Sequence, residues 1–219
     1  HNENWGGSLS TFLYFNRMDE LQKLVLRSPE LSDCLSEIEA GAKLLISCFQ
    51  QNHKLLLCGN GGSCADCEHI AGELVKQFSR TRPLSAELVE KLGPELSQEL
   101  HGGLPALSLP SMIGFHTAFN NDDKPEYAFA QQVVAFGQPG DVLMGISTSG
   151  NSKNIIKAAE AARALGLKVL SLTGQDGGVL ATLADVSIKA PATEVARVQE
   201  LHLPIYHSLC QMVEDTLFP

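Results

Sequence analysis

Five short runs of β-type residues punctuate the chain, at Lys54–Cys58, Pro105–Leu109, Asp141–Ser147, Lys168–Thr173 and Asp185–Lys189. Helical patterns separate them, near 63–78, 112–136, 151–165 and 177–183, and a last one runs from about 199 to 217. Strands that alternate with helices are joined by crossovers, so the expected sheet is parallel with helices on both faces. In folds of this kind ligands sit outside the carboxyl ends of the strands. The loops that follow the strands therefore matter most.

Ahead of the first strand, residues 9–51 read as helical. Leu9, Phe12, Leu13, Phe15, Leu21, Leu24, Val25 and Leu31 recur at three and four spacings, and so do Leu35, Ile38, Ala42, Leu45, Ile46 and Phe49. Ser28-Pro29 is expected to divide the two stretches. Such an arm packs either on another subunit or on its own domain. The segment 79–103 breaks the strand–helix rhythm. It is polar, with Leu84, Leu88 and Leu92 at helical spacing, and reads as an inserted helical excursion that either overhangs the site or lies solvated on the surface. His1–Ser8 shows neither a signal pattern nor an initiator Met and reads as a loose end or tag remnant. Residues 9–219 are then one domain.

With 219 residues, 44% of them apolar, the chain can build a full core. Lys plus Arg number 16 against 25 Asp plus Glu, a formal charge of −9, which argues against nucleic acid as the main ligand. No apolar run approaches the ~20 residues that span a bilayer, so no membrane association is expected. Six cysteines, mostly in apolar surroundings, fit a reducing, cytoplasmic setting better than a disulfide framework.

Two loops look made for an anion. The first strand runs into Gly59-Asn60-Gly61-Gly62-Ser63 and then a helix. Glycines let the backbone turn sharply, Ser63 is a natural N-cap, and a helix start offers free N–H groups and positive partial charge. An ordinary tight turn would read the same way. The second loop, Gly145-Ile146-Ser147-Thr148-Ser149-Gly150-Asn151-Ser152, also joins a strand to a helix. The hydroxyls of Ser147, Thr148, Ser149 and Ser152 form a dense donor cluster suited to a phosphate dianion. A third loop, Thr173–Gly178, is expected to shape or close the pocket.

The first helix carries two further signals. Cys64 and Cys67 form a C-x-x-C, which is either a redox pair or two small core residues. His69 and Glu73 lie four apart on one helical face, where they can take a divalent metal, act as an acid/base pair, or simply touch at the surface. His53, His101 and His116 have no evident partner and read as ordinary polar residues.

The motifs CGNGGS, GDVLMGISTSGNSKNI, LTGQDGG and RVQELHLPIYH, in this order, resemble the sugar isomerase (SIS) domain family and, within it, the phosphoheptose isomerase branch. The likeness covers roughly residues 35–215 apart from the insert. It implies a three-layer, flavodoxin-like α/β/α sandwich with a five-stranded parallel sheet. It also implies a phosphorylated sugar held by Asn60, Gly61, Gly62, Ser63, Ser147, Thr148, Ser149 and Ser152, and a homotetramer with sites at subunit interfaces. It further implies a divalent metal, usually zinc, on His69, Glu73, Gln199 and His207, with Glu73 and His207 as the proton-transfer groups of an enediolate mechanism. Gln199 and His207 are eight residues apart, a rise of ~12 Å on a regular helix. They meet at one metal only if the helix starts after Gln199 or is distorted, as Pro204 would permit, or if different subunits supply them. His202 should point elsewhere.

One departure stands out. Leu109-Pro110-Ser111-Met112-Ile113 lacks the acidic residue that the branch carries after the second strand, which puts the particular sugar in question. A non-catalytic phosphosugar sensor, or a tetrameric scaffold for a partner protein, is the rival reading.

Overall fold

The computed structural model describes residues 19–219; the apolar positions expected at 9–18 lie outside the described residues. The chain folds as helix α1 (Glu20–Arg27), a 3-10 turn (Pro29–Cys34), α2 (Leu35–Gln50), β1 (Leu55–Gly59), α3 (Gly62–Val75), α4 (Ala86–Glu99) and β2 (Ala106–Ser108). Then come α5 (Ile113–Asp122), α6 (Ala128–Phe136), β3 (Val142–Ser147), α7 (Lys153–Ala164), β4 (Lys168–Thr173), α8 (Gly178–Leu183), β5 (Val186–Lys189) and α9 (Val195–Leu217). All five strands are parallel, in the order β2-β1-β3-β4-β5. This is the expected three-layer α/β/α sandwich, with the direction of winding reversing between β1 and β3.

Period-two alternation sends neighbouring strand residues to opposite faces, and both faces are buried. Leu55, Leu57, Met144, Ile146, Leu170 and Leu172 face α2, α3 and α9, meeting Ile38, Leu45, Ile70, Leu74, Ile205 and Leu209. Leu56, Cys58, Leu143 and Val169 face the other way, onto Phe129, Val133, Ile155, Ala159 and Leu180. The described part of the N-terminal arm belongs to the first layer, with Leu24 and Leu31 fully buried in it. It caps its own domain. Asp19 starts α1 with a capping box, its carboxylate accepting from the Gln22 N–H while the Gln22 side chain accepts from the Asp19 N–H.

Three boundaries differ from the sequence expectation. The run 112–136 is two helices, because Pro125 cannot continue α5 and a 3-10 turn at Pro125–Tyr127 redirects the chain. The last helix begins at Val195, four residues early, and continues through Pro204 to Leu217. The insert forms α4, kinked at Gly93 (φ 77°) ahead of Pro94, and no residue of that helix is buried. It is a surface excursion.

The insert is tied down at its base. Arg82 is fully buried and donates to Glu214 Oε1 (2.7 Å) and to the carbonyls of Glu73 (3.0 Å), Leu74 (2.5 Å) and Lys76 (2.9 Å), at the C-terminal end of α3. A guanidinium suits a helix C-terminus, where carbonyls lack partners. Glu214, on α9, also accepts from the N–H groups of Phe78, Ser79 and Arg80. Burial by itself would raise the Glu214 carboxyl, but these N–H groups, Arg82 and the Ser79 hydroxyl outweigh it and hold it below the usual value. Removing one partner of such a pair strands the other. Arg82→Met should therefore cost about 3–5 kcal/mol in urea unfolding.

His202 is buried, with Nε2 3.2 Å from the Thr173 carbonyl oxygen and Nδ1 without a hydrogen-bond partner. It points away from His207's surroundings, as its rotation about the helix requires. Burial lowers its pKa from 6.5 to about 4. Because the folded value lies below the unfolded one, the unfolded chain binds the extra proton across that window. Stability is full above pH 6.5 and falls as pH drops toward 4, by on the order of 3 kcal/mol. The lowered His207 adds to this loss, and the depressed carboxylates Asp141, Asp185 and Glu214 lose their contribution as pH falls through the ordinary carboxylate range. Chemical unfolding between pH 7 and 4 should show this loss in the wild type and a flatter profile in His202→Met.

Candidate active site

β1 and β3 end side by side, with Leu57 beside Met144 and Gly59 beside Ile146. The helices that follow leave in opposite directions, since α3 packs on one face of the sheet and α7 on the other. The two hydroxyl- and glycine-rich loops therefore flank a crevice at the winding reversal, where an α/β sheet binds its ligand.

In the first loop Gly61 (φ 55°) makes the turn and is itself the N-cap of α3. Ser63 is not the cap. It lies inside the first turn, buried, with its N–H given to the Asn60 carbonyl (3.0 Å). In the second loop Ser152 is the N-cap of α7, and its hydroxyl is 3.0 Å from that of Ser147, which is buried. Thr148 is half-buried and Ser149 exposed. The loops are joined by a reciprocal amide pair: Asn60 Nδ2 donates to Asn154 Oδ1 (2.9 Å) and Asn154 Nδ2 donates to Asn60 Oδ1 (2.8 Å). The third loop backs the second, with the Gly174 N–H donating to the Thr148 carbonyl (3.0 Å) and the Leu180 N–H to that of Gly150 (2.9 Å).

Asn60 and Gly61, together with Gly59, Cys64, Pro110, His116, Asn120, Phe129 and Asn154, line a cleft of about 280 Å³. His116 thus belongs to the site, its Nε2 3.1 Å from the Leu109 carbonyl oxygen. Asn154 was within reach of sequence reasoning, being two residues past Ser152 at the same helix start. His116 and Asn120 carry no such mark. Where an acidic residue was expected, Ser111 instead donates to the Glu68 carboxylate (3.1 Å).

Two turns into α3, His69 Nε2 lies 3.3 Å from Glu73 Oε1 and 3.4 Å from His207 Nε2. His69 Nδ1 is 2.9 Å from the hydroxyl of Tyr206, which in turn donates to Asp66 Oδ1 (3.3 Å). Burial first, then the neighbouring His69, holds His207 below the ordinary imidazole value, against the pull of Glu73. Burial, with Asp66 adding to it, pushes Tyr206 far up, so its phenol stays protonated. Gln199 is not in this group. Its amide packs on the start of α3, where a Cβ added to Gly62 would lie 2.6 Å from Gln199 Nε2. Since α9 is helical through both, Gln199 and His207 stay ~12 Å apart along its axis within one chain.

No group of three or more His, Cys, Asp or Glu among the described residues is closed into a metal cage in a single chain. The donor set nonetheless suits a divalent cation. Ligands ~2.0–2.1 Å from a tetrahedral zinc stand ~3.3 Å from one another, and the separations of His69 from Glu73 and from His207 match that edge. Two edges of such a ligand set are in place, both at His69, while Glu73 and His207 make no direct contact, so the trio is open on that side and needs further ligands to close.

The redox reading of Cys64 and Cys67 is not supported. All six cysteines are free thiols. Cys67 is fully buried and held well above its ordinary value by burial, and Cys64 is raised as well, whereas a redox pair needs a lowered thiol.

A family model described as SIS domain matches residues 14–103 and 101–174. Phosphoheptose isomerase from Shewanella loihica is 40% identical over 185 residues, covering 83% of this chain and 84% of that protein. Two solved phosphoheptose isomerases superpose along nearly the whole length. GmhA from Neisseria gonorrhoeae has TM-score 0.69, 32% identity, and 93% and 97% of the two chains covered. The Francisella tularensis protein has TM-score 0.72, 30% identity, and 94% and 97% covered. The chain belongs to the SIS-domain family and, within it, to the phosphoheptose isomerase branch.

Gly150 (φ 65°) packs so closely that a Cβ would overlap the Gly177 carbonyl oxygen. Gly150→Ala should cost about 1–3 kcal/mol from backbone strain alone, read by thermal unfolding.

Proposed function

We propose that this protein is a phosphosugar aldose–ketose isomerase of the phosphoheptose type, working through a metal-assisted enediolate mechanism. One observation carries the reading: a single helix, α3, starts in the first anion loop and bears His69 and Glu73 where they face His207 of α9. Anion capture and proton chemistry are thereby fixed to one rigid element.

The substrate's phosphate is held by the α7 start and the hydroxyls of Ser147, Thr148, Ser149 and Ser152, facing Asn60, Gly61, Gly62 and Ser63 across the crevice. Moving a proton between C1 and C2 needs a base, an acid and a fixed carbon chain. Glu73 is the base. One of its oxygens, Oε1, is turned to His69, and the other takes the proton. His207 exchanges a proton with the sugar oxygen. Zinc or a related divalent ion, held by His69, Glu73 and His207, would supply positive charge as those oxygens become negative. Gln199 does not reach that trio within one chain, so a ligand role for it calls for a second copy, as in a homotetramer with sites at subunit interfaces. Six free thiols suit a cytoplasmic setting, and no described helix is long and apolar enough to cross a membrane.

The test is incubation with six- and seven-carbon sugar phosphates in deuterated water, with proton NMR at C2. Exchange at C2 with at least one sugar is expected, lost in Glu73→Gln. Tight binding with no exchange for any sugar would overturn catalysis in favour of a phosphosugar sensor. Metal analysis should show a divalent ion in the wild type and its loss in His69→Ala and His207→Ala.

A further inference from the structure

Tyr206 sits beside His207 on α9, is almost fully buried, and touches both imidazoles of the site edge-on, with ring centroids 5.4 Å from His69 and 5.1 Å from His207. Its hydroxyl has two neighbours, His69 Nδ1 at 2.9 Å and Asp66 Oδ1 at 3.3 Å. A phenol has one hydrogen to give. If that hydrogen went to His69 Nδ1, the Asp66 carboxylate would face the phenol oxygen with no proton between them. With Asp66 ionised, the form that its Tyr206 contact favours against the effect of burial, one assignment satisfies both contacts: His69 Nδ1–H donates to Tyr206, and Tyr206 O–H donates to Asp66. This holds whether or not Nε2 also carries a proton, because Nδ1 is the donor in either case. Nε2 is then the nitrogen that can give up its proton, and it is the one turned toward Glu73 Oε1 and His207 Nε2.

We propose that Tyr206, backed by Asp66, is a positioning residue that keeps the proton of His69 on Nδ1 and presents Nε2 as a bare lone pair to a divalent cation. The proposal rests on the metal-assisted reading above. A histidine ligand held through its second nitrogen by a carboxylate or similar acceptor is oriented and made more basic. Here a buried tyrosine is interposed between ring and carboxylate, so the hydrogen-bonded chain runs from α3 to α9 and back to α3, linking the two helices that carry the trio.

The experiment is titration of the metal-free full-length chain with Zn²⁺ against a chromophoric chelator, in wild type, Tyr206→Phe, Asp66→Asn and His69→Ala. Tyr206→Phe keeps the ring and removes only the hydroxyl. It should bind zinc 10–100-fold more weakly while remaining folded by circular dichroism. Asp66→Asn should weaken binding in the same direction, and the double variant should be no weaker than Tyr206→Phe alone. In metal-free protein, imidazole ¹⁵N–¹H spectra should place the His69 proton on Nδ1 in the wild type and divide it between the two nitrogens in Tyr206→Phe. Wild-type zinc affinity in Tyr206→Phe, or a wild-type His69 spectrum in it, would overturn the positioning role while leaving the cation site standing. Equal zinc affinity in wild type and His69→Ala would instead remove the cation site, and this proposal with it. Should Tyr206→Phe not fold, Asp66→Asn carries the same comparison.

Discussion

The parallel pairing of β1 with β3 is the constraint on which the site depends. These strands are neighbours in space but not in sequence, and their ladder runs from Leu55 beside Val142 to Gly59 beside Ile146. It brings two loops, nearly ninety residues apart in the chain, to one line at the sheet's carboxyl edge. The helices that follow pack on opposite faces, so the loops part instead of stacking. The Asn60–Asn154 amide pair spans the gap between them. A residue-by-residue slip of this ladder would turn the apolar sets of Leu55 and Leu57 away from their helices, so core packing and site geometry enforce the same register.

Helix α3 is the element through which the rest of the candidate site is arranged. Its start belongs to the first glycine-rich loop, its middle carries His69 and Glu73, and its last carbonyls are taken by Arg82. Helix α9 lies along it and adds Tyr206, His207 and Glu214. The polar contacts between the two helices are His69 with Tyr206 and His207, and Tyr206 with Asp66, while Glu214, two turns further along α9, ties down the segment that follows α3. The surrounding interface is apolar, with Ile70, Leu74, Ile205 and Leu209 buried in it.

Much of this was legible in the sequence because it rests on local pattern. All five strands and the two glycine- and hydroxyl-rich strand–helix loops follow from alternation and from glycine and hydroxyl placement, and the motif order led directly to the SIS fold. What escaped depends on tertiary context. Ser63 looks like an N-cap, yet Gly61 makes the turn a residue or two earlier and leaves Ser63 inside the helix. The break at Pro125 carries a local mark, the proline itself, which apolar periodicity alone passes over, and the early start at Val195 leaves no mark in that periodicity. Asn154 was close to a recognised motif. His116 and Asn120 reach the cleft only through the tertiary placement of α5, and a histidine among polar residues announces nothing of that. The acidic contact near Ser111 comes from Glu68 on a different element, so a search along the second strand's own loop could not find it.

The base of the insert closes on itself, since the Gly102 N–H donates to the Arg82 carbonyl at 2.8 Å. Everything between those two residues leaves and rejoins the domain through a single hydrogen-bonded gate. Entropy of closing a loop changes by only ~0.6 kcal/mol for each doubling of its length. The fold is therefore indifferent to how long this excursion is, and residues 83–101 mark a natural splice point. Lengthening or shortening the chain there changes the closure entropy little while Arg82 and Gly102 hold the ends together.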